Sequence, residues 1–332
     1  DTLIEKYGER MGPYAVEVVR ALSQHFIRLF TSEDTDDDDG AALTAMSVMR
    51  AISSMLHAVH GMPDKLAAME AELLPLMART MQEDASDFIE DSLDLLTTLT
   101  FYSPHISEAL MSLIEPLHAA LTTWAFEHSS AALPPVDNFM SRATATFLGA
   151  RSGAYVKLVF GMCHHCLLTK HDAMNDYEAN GAIRMLESLL YHCAEAHEPM
   201  LPQLLEPIIL RMERSKPDST TRKLLFNALS TAIFRCASST LQLLVAGDKM
   251  SNILGAWMNH LSAPAKLKVH DLKISILAIG ALLQLADAHA PPMIASNRVL
   301  LVRGGVRLML QLQVAQEAAA DMEKEGAGDD FD

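Results

Sequence analysis

A proline inside a helix is uncommon, because its ring removes a backbone donor and bends the axis, yet this chain repeats the arrangement. Residues 201–214 read LPQLLEPIILRMER. Leu201, Leu204, Leu205, Ile208 and Met212 fall at i, i+3, i+4, i+7 and i+11, one face of an amphipathic helix with Pro207 inside it. The runs Leu73-Leu74-Pro75-Leu76-Met77 and Ile114-Glu115-Pro116-Leu117 carry the same pattern. Pro75 and Pro116 are 41 residues apart, and Pro116 and Pro207 are 91 apart, close to two further steps of about 45. A period of about 40–47 residues built from paired helices is the signature of HEAT or armadillo repeats. The intervening slot, near Leu158, has no proline. The expected fold is all-α: a HEAT/armadillo-type helical-repeat solenoid.

Composition agrees with that class. Half of the 332 residues are hydrophobic but few are aromatic. The chain is rich in leucine and alanine, the best helix formers, and in methionine, an adaptable filler between helices. No sustained apolar–polar alternation bounded by turn pairs is present, so strands are not expected. No run of about 18 consecutive apolar residues suggests a membrane span. The first residue is Asp1, within a stretch that reads as helix, which leads us to expect a piece of a longer protein. The four cysteines (Cys163, Cys166, Cys193 and Cys236) are too sparse for a disulfide framework and point to buried thiols in a reducing compartment.

Taken in order, about seven helix pairs are expected over residues 1–316. Tyr14, Val18, Leu22 and Ile27 are expected to line the buried side of a helix over 13–30, and Leu43, Met46, Met49 and Ile52 that of the next. Asp64 reads as an N-cap, Pro134-Pro135 as part of a loop over 127–137, and Gly304-Gly305 as an interruption in the last helix. Residues 31–40 read as an acidic loop, and residues 317–332 as an acidic disordered tail. Each pair cannot bury its apolar face alone, so neighbours must stack into one core with a long concave surface.

The chemistry-bearing residues are few. Cys163-His164-His165-Cys166 alone has metal-ligand character, since cysteines at i and i+3 on a helix can reach one ion. A structural zinc site needs four ligands, so Tyr191-His192-Cys193 would have to supply a second pair. The simpler reading places Val156, Val159, Cys163 and Cys166 on one buried helix side, with no metal and no cofactor. No nucleophile elbow, phosphate loop or dinucleotide fingerprint is present. Arg142, Arg151, Lys157 and Lys170 are too scattered for a nucleic-acid stripe.

Charge is more informative. The net charge is −16. Glu33, Asp34, Asp36, Asp37, Asp38 and Asp39 contribute −6, and residues 317–332 hold seven acids and one lysine, another −6. The rest of the chain is therefore near −4. Two acidic blocks on a nearly neutral body suit a basic protein ligand through attraction and steering. The candidate binding residues are those six acids together with Asp321, Glu323, Glu325, Asp329 and Asp330.

The run Pro135-Val136-Asp137-Asn138-Phe139-Met140-Ser141-Arg142, followed by Thr146-Phe147-Leu148, resembles the central region of importin-beta-type nuclear transport receptors, on the branch of importin seven and importin eight. Pro13-Tyr14-Ala15-Val16-Glu17, an acid-rich loop, Ala42-Leu43-Thr44-Ala45-Met46, Asp87-Phe88-Ile89-Glu90-Asp91, Met162-Cys163 and the acidic end follow in the same order. The Cys-His-His-Cys run and the alanine- and histidine-rich surface depart from it, as in a distant member.

The resemblance implies a karyopherin, not an enzyme, that carries basic cargo of the ribosomal-protein or histone type and shuttles between cytoplasm and nucleus. It further implies contact with the phenylalanine-glycine repeats of nucleoporins and regulation by Ran-GTP through N-terminal repeats that this sequence lacks. No direct nucleic-acid partner is implied. A HEAT scaffold without transport, and a zinc hydrolase built on the cysteine-histidine run, are the alternatives.

Overall fold

The computed structural model describes residues 8–31, 38–168, 176–193, 198–216, 219–262, 267–286 and 289–326. These are helical and contain no strand; the fold is the all-α helical-repeat solenoid class. Contacts divide the chain into two compact units, Asp1–His192 and Cys193–Asp332.

The first unit opens with a 3-10 turn, Gly8–Tyr14, and continues through α1 (Ala15–Thr31), α2 (Asp38–Ala58), α3 (Pro63–Thr80), α4 (Ile89–Tyr102), α5 (Glu108–Met111), α6 (Ile114–Thr123), α7 (Ser129–Arg142), α8 (Thr144–Gly149), α9 (Ala154–Leu168) and α10 (Asp176–Cys193, whose last residue falls in the second unit). Helices pack in two rows. In one row α1 lies on α3 and α6 on α9; in the other α2 lies on α4 and α4 on α7. α10 continues the second row, because Gly181 sits directly against the first turn of α7. This alternation, each helix packing on one beyond its immediate successor, is how stacked repeats bury faces that no single pair can cover. Pro75 and Pro116 and the proline-free slot at Leu158 all fall on the first row.

Side-chain size decides which face is buried, and it turns α1 away from the face expected from its large apolar residues. Tyr14 is 63 % exposed, and Val18, Leu22 and Ile27 are only half-buried. The core side is Ala15, Val19, Ser23 and Phe26. Small residues at 15 and 23 let α1 approach α3 closely. The Ser23 hydroxyl donates to the Glu72 carbonyl at 2.8 Å, and Phe26 meets Phe88 edge-to-face at 5.3 Å. In α2 the same applies to Leu43, which is exposed, whereas Val48, Met49, Ile52 and Leu56 form the core.

Prolines and glycines also behave differently from their sequence reading. Pro116 is the third residue of α6 and interrupts no helix there, since first-turn donors have no intrahelical acceptor. Pro134 and Pro135 lie inside α7, not in a loop. Pro63 takes the first position of α3, and Asp64 sits in its first turn rather than capping it.

The second unit contains α11 (Leu201–Arg214), α12 (Thr220–Ala246), α13 (Gly255–Ser262), α14 (Val269–Gln284) and α15 (Pro292–Gly326). The face expected on α11 is the buried one: Leu201, Leu204, Leu205, Ile208 and Met212 are all core, with Pro207 inside the helix. α12 packs on α11 and α14, and α14 on α15. α12 bends at Cys236 (φ −142°, ψ 57°); the Thr240 hydroxyl donates to the Ala232 carbonyl across the bend at 3.1 Å. α15 runs unbroken through Gly304-Gly305 and on to Gly326, ten residues past 316.

By length and composition α12 could cross a membrane. Its polar interior identifies it instead as the core helix of this unit. Asn227 donates to Asp271 at 2.7 Å and Trp257 donates to the Ser230 hydroxyl at 2.8 Å, so buried polar groups on α12 are satisfied by α13 and α14.

Candidate protein-binding surface

The acidic candidates divide between the two units. Glu33, Asp34, Asp36 and Asp37 lie outside the described residues, between the end of α1 and the start of α2; Asp38 and Asp39 are the first two residues of α2. Asp321, Glu323 and Glu325 fall on the last turns of α15, so part of the segment expected as a tail has a helical backbone. Asp329 and Asp330 lie outside the described residues.

The cysteine-histidine run divides between the core and the surface of α9. Val156, Val159, Cys163 and Cys166 share the buried side of α9, and His164 faces solvent. Burial, reinforced by neighbouring Cys166, pushes the Cys163 thiol well above its ordinary range. With no ion beside it, a thiol so placed stays protonated and packs as a small apolar side chain. Cys193 is likewise pushed up by burial, to about 12, with the Arg235 guanidinium opposing the shift. His118 on α6 reaches Gly161 of α9, its Nε2 only 2.8 Å from where a Cβ at 161 would stand. Burial first, and His165 second, hold His118 below its ordinary value. Among the described residues no group of three or more His, Cys, Asp or Glu side chains converges.

The run 135–142 has a structural role that its sequence does not announce. Pro135, Val136, Phe139 and Met140 are buried. The polar residues between them fasten α7 to both neighbours in its row. Asp137 accepts from the Ser188 hydroxyl of α10, and Asn138 donates to the Thr100 hydroxyl of α4 at 3.0 Å. Arg142 donates to the carbonyls of Thr100, Phe101 and Ser103, closing the C-terminal end of α4, where free carbonyls and the helix dipole favour a cation.

That closure leaves Phe101 and Tyr102 outside. Phe101 is 56 % exposed and lies under the Arg142 guanidinium, 6.0 Å from ring centroid to carbon. Tyr102 meets Phe101 edge-to-face at 4.9 Å and His60 at 4.9 Å. Outward aromatics beside an arginine are the residue types that protein interfaces enrich. The sequence signal was available: two aromatics immediately before the Ser103-Pro104 helix stop.

Comparison with known proteins places this architecture. The chain is 27 % identical over 303 residues to an importin beta-like SAD2 homolog of Arabidopsis thaliana, covering 88 % of this chain and 29 % of that protein. It is 23 % identical over 289 residues to an importin-7 homolog of Dictyostelium discoideum, covering 86 % and 27 %. It is 22 % identical over 293 residues to importin-8 of Homo sapiens, again covering 86 % and 27 %. The chain thus spans less than a third of the length of these curated relatives. No family profile and no solved structure matches it. Along nearly its whole length, and on an all-helical repeat fold, this chain is thus similar to importin-beta-like proteins of the importin-7 and importin-8 branch from a plant, an amoeba and an animal.

Proposed function

We propose that this chain is a cargo-binding part of a nuclear import receptor. The observation that carries the reading is the similarity to importins over 86–88 % of the chain. The acidic blocks supply its chemistry: two short segments hold −12 of the −16 net charge, which suits basic proteins of the ribosomal-protein or histone type. In this reading Ran-GTP acts through repeats that lie elsewhere in the longer relatives. Nucleoporin phenylalanine-glycine repeats are the transport partner, and the receptor shuttles between cytoplasm and nucleus without catalysing a reaction.

The test is a titration of a basic ribosomal protein against the chain and against a variant with Glu33→Gln and the five aspartates of 34–39 changed to asparagine. Weaker binding and a flatter salt dependence are expected, because exposed charges are screened within about 10 Å at 0.1 M salt. Equal affinities at low salt would show that the block only solubilises the chain.

A further inference from the structure

The two units carry opposite charge. Residues 1–192 hold 27 acids against 12 lysines and arginines, a net −15. Residues 193–316 hold 13 lysines and arginines against 8 acids, a net +5. Within the second unit the excess gathers at the turn between α11 and α12, where residues 211–223 hold five cations and two acids.

Contacts join this turn to the neighbouring helix ends. Arg222, in the first turn of α12, lies over the Phe226 ring, 5.7 Å from its centroid, and Phe226 stacks on His260 of α13 at 4.8 Å. Asn227 donates to Asp271 in the first turn of α14 at 2.7 Å, and the same carboxylate accepts the Lys268 amide at 3.0 Å. The starts of α12 and α14 and the end of α13 therefore form one edge. Further repeats would stack on helix sides, whereas this surface is made of helix ends.

Arg222 is turned inward and donates to the Met212 and Ser215 carbonyls, at 3.4 and 3.3 Å, which fixes the turn. Arg214, Lys216, Lys223 and Lys268 are exposed. Among the described residues none of these four forms an ion pair. The nearby carboxylates are engaged elsewhere: Asp271 as above, and Glu213 with Lys249. Asp218 lies outside the described residues.

We propose that this edge binds an acidic segment of a partner protein, a short run of aspartate and glutamate. The partner's carboxylates supply the counter-charge that the four exposed cations lack. The N-terminal ends of α12 and α14 add the positive ends of their dipoles. A run of about six extended residues spans two neighbouring helix ends and the lysines that flank them. Nucleic acid fits less well. The rings beside the edge, Phe226 and Trp257, are buried and present no face for base stacking, and a chain of net −16 repels a long polyanion.

Fluorescence anisotropy of a labelled deca-glutamate peptide with the 332-residue chain tests this, at about 50 mM salt, where screening is weak. Saturable one-to-one binding is expected. Lys216→Gln with Lys223→Gln lowers the affinity by about tenfold, and Lys216→Glu with Lys223→Glu abolishes binding. Arg10→Gln with Lys157→Gln, at two exposed cations of the first unit, removes the same charge and leaves the affinity within about twofold, since distant charges are screened. Circular dichroism confirms that the variants fold. Absence of binding overturns the proposal. Equal losses in the two glutamine pairs also overturn it, because the total charge and not the edge then decides. A single strand of ten thymidines that binds more tightly than the peptide, and is lost with the Lys216 and Lys223 pair, overturns the protein partner and assigns the edge to nucleic acid. None of these variants touches the acidic blocks, so this proposal and the cargo reading can each fail alone.

Discussion

Helices α7 and α15 hold their apolar residues in opposite ways. α7 is enclosed by its row. Gly181 of α10 touches its first turn, and Asp137, Asn138 and Arg142 tie it to α10 and α4. α15 is longer and apolar on two sides, yet among the described residues only the side toward α14 is covered. In a stack of repeats a helix is stable through neighbours on each flank. The contrast identifies which helix still offers a surface, and it does so from packing alone. Hydrophobic content would not have separated the two.

The largest effect expected from this contrast is at Gly181. A Cβ there would stand 2.4 Å from the Ser130 amide nitrogen and 2.5 Å from the Ser129 carbonyl carbon, both backbone atoms that cannot turn aside. Gly181→Ala should cost about 3 kcal/mol or more, at the upper end for overpacking. Gly304→Ala on α15 has nothing within 4 Å of the new methyl and should stabilise the chain by up to about 1 kcal/mol, the helix-propensity gain. Urea denaturation of both variants measures the difference. Equal, small changes would mean that α7 and α10 are not held as closely as described.

A second pair probes α15 within two residues. Leu308 is fully buried and Leu310 is 61 % exposed. Leu308→Ala should lose about 2–4 kcal/mol through transfer and cavity terms. Leu310→Ala should stay within about 0.5 kcal/mol, measured on dilute chain so that self-association does not contribute. Comparable losses at both positions would place a covering element on the outer face and remove the contrast with α7.

Much of this was legible before any coordinates. The α11 face was readable because its core positions, Leu201, Leu204, Leu205, Ile208 and Met212, are all large apolar residues at helical spacing, while Leu210 is the one large apolar residue opposite them. α1 was misread for the complementary reason. Its buried positions include Ala15 and Ser23, chosen for close approach, while the bulky Tyr14 points out. Periodicity weighs size and hydrophobicity, and close helix contact favours neither. Pro134-Pro135 misled because proline signals a break unless the surrounding contacts hold the helix, and those contacts come from α4 and α10, remote in sequence. The acidic blocks were legible as charge only. The bare side of α15 was invisible for a different reason: a stripe of valine and leucine reads the same whether or not another helix covers it.

The smallest expected effect compares two helix contacts through their histidines. His118 packs at Gly161 between α6 and α9; His260 of α13 stacks on Phe226 of α12 at 4.8 Å. Burial is the first cause that holds each below its ordinary value. His165 adds to the shift at His118; at His260 Lys223 adds to it and Asp271 opposes it. Because the folded imidazoles resist protonation, the unfolded chain binds the proton first. Their stabilising contribution is therefore whole above the unfolded value, near 6.5, and declines as pH falls through 6.5 toward the folded values. Chemical denaturation between pH 7.5 and pH 5 should show stability falling on the acid side, and His118→Gln should flatten part of that slope. His260→Gln should flatten it as well, at the cost of the ring stack on Phe226. The proton at His118 also meets the neighbouring His165, whereas the proton at His260 meets one cation and one carboxylate. If acid weakens both contacts equally after the burial effect is matched by the two variants, the neighbouring charges do not distinguish the two contacts, and burial alone sets their response.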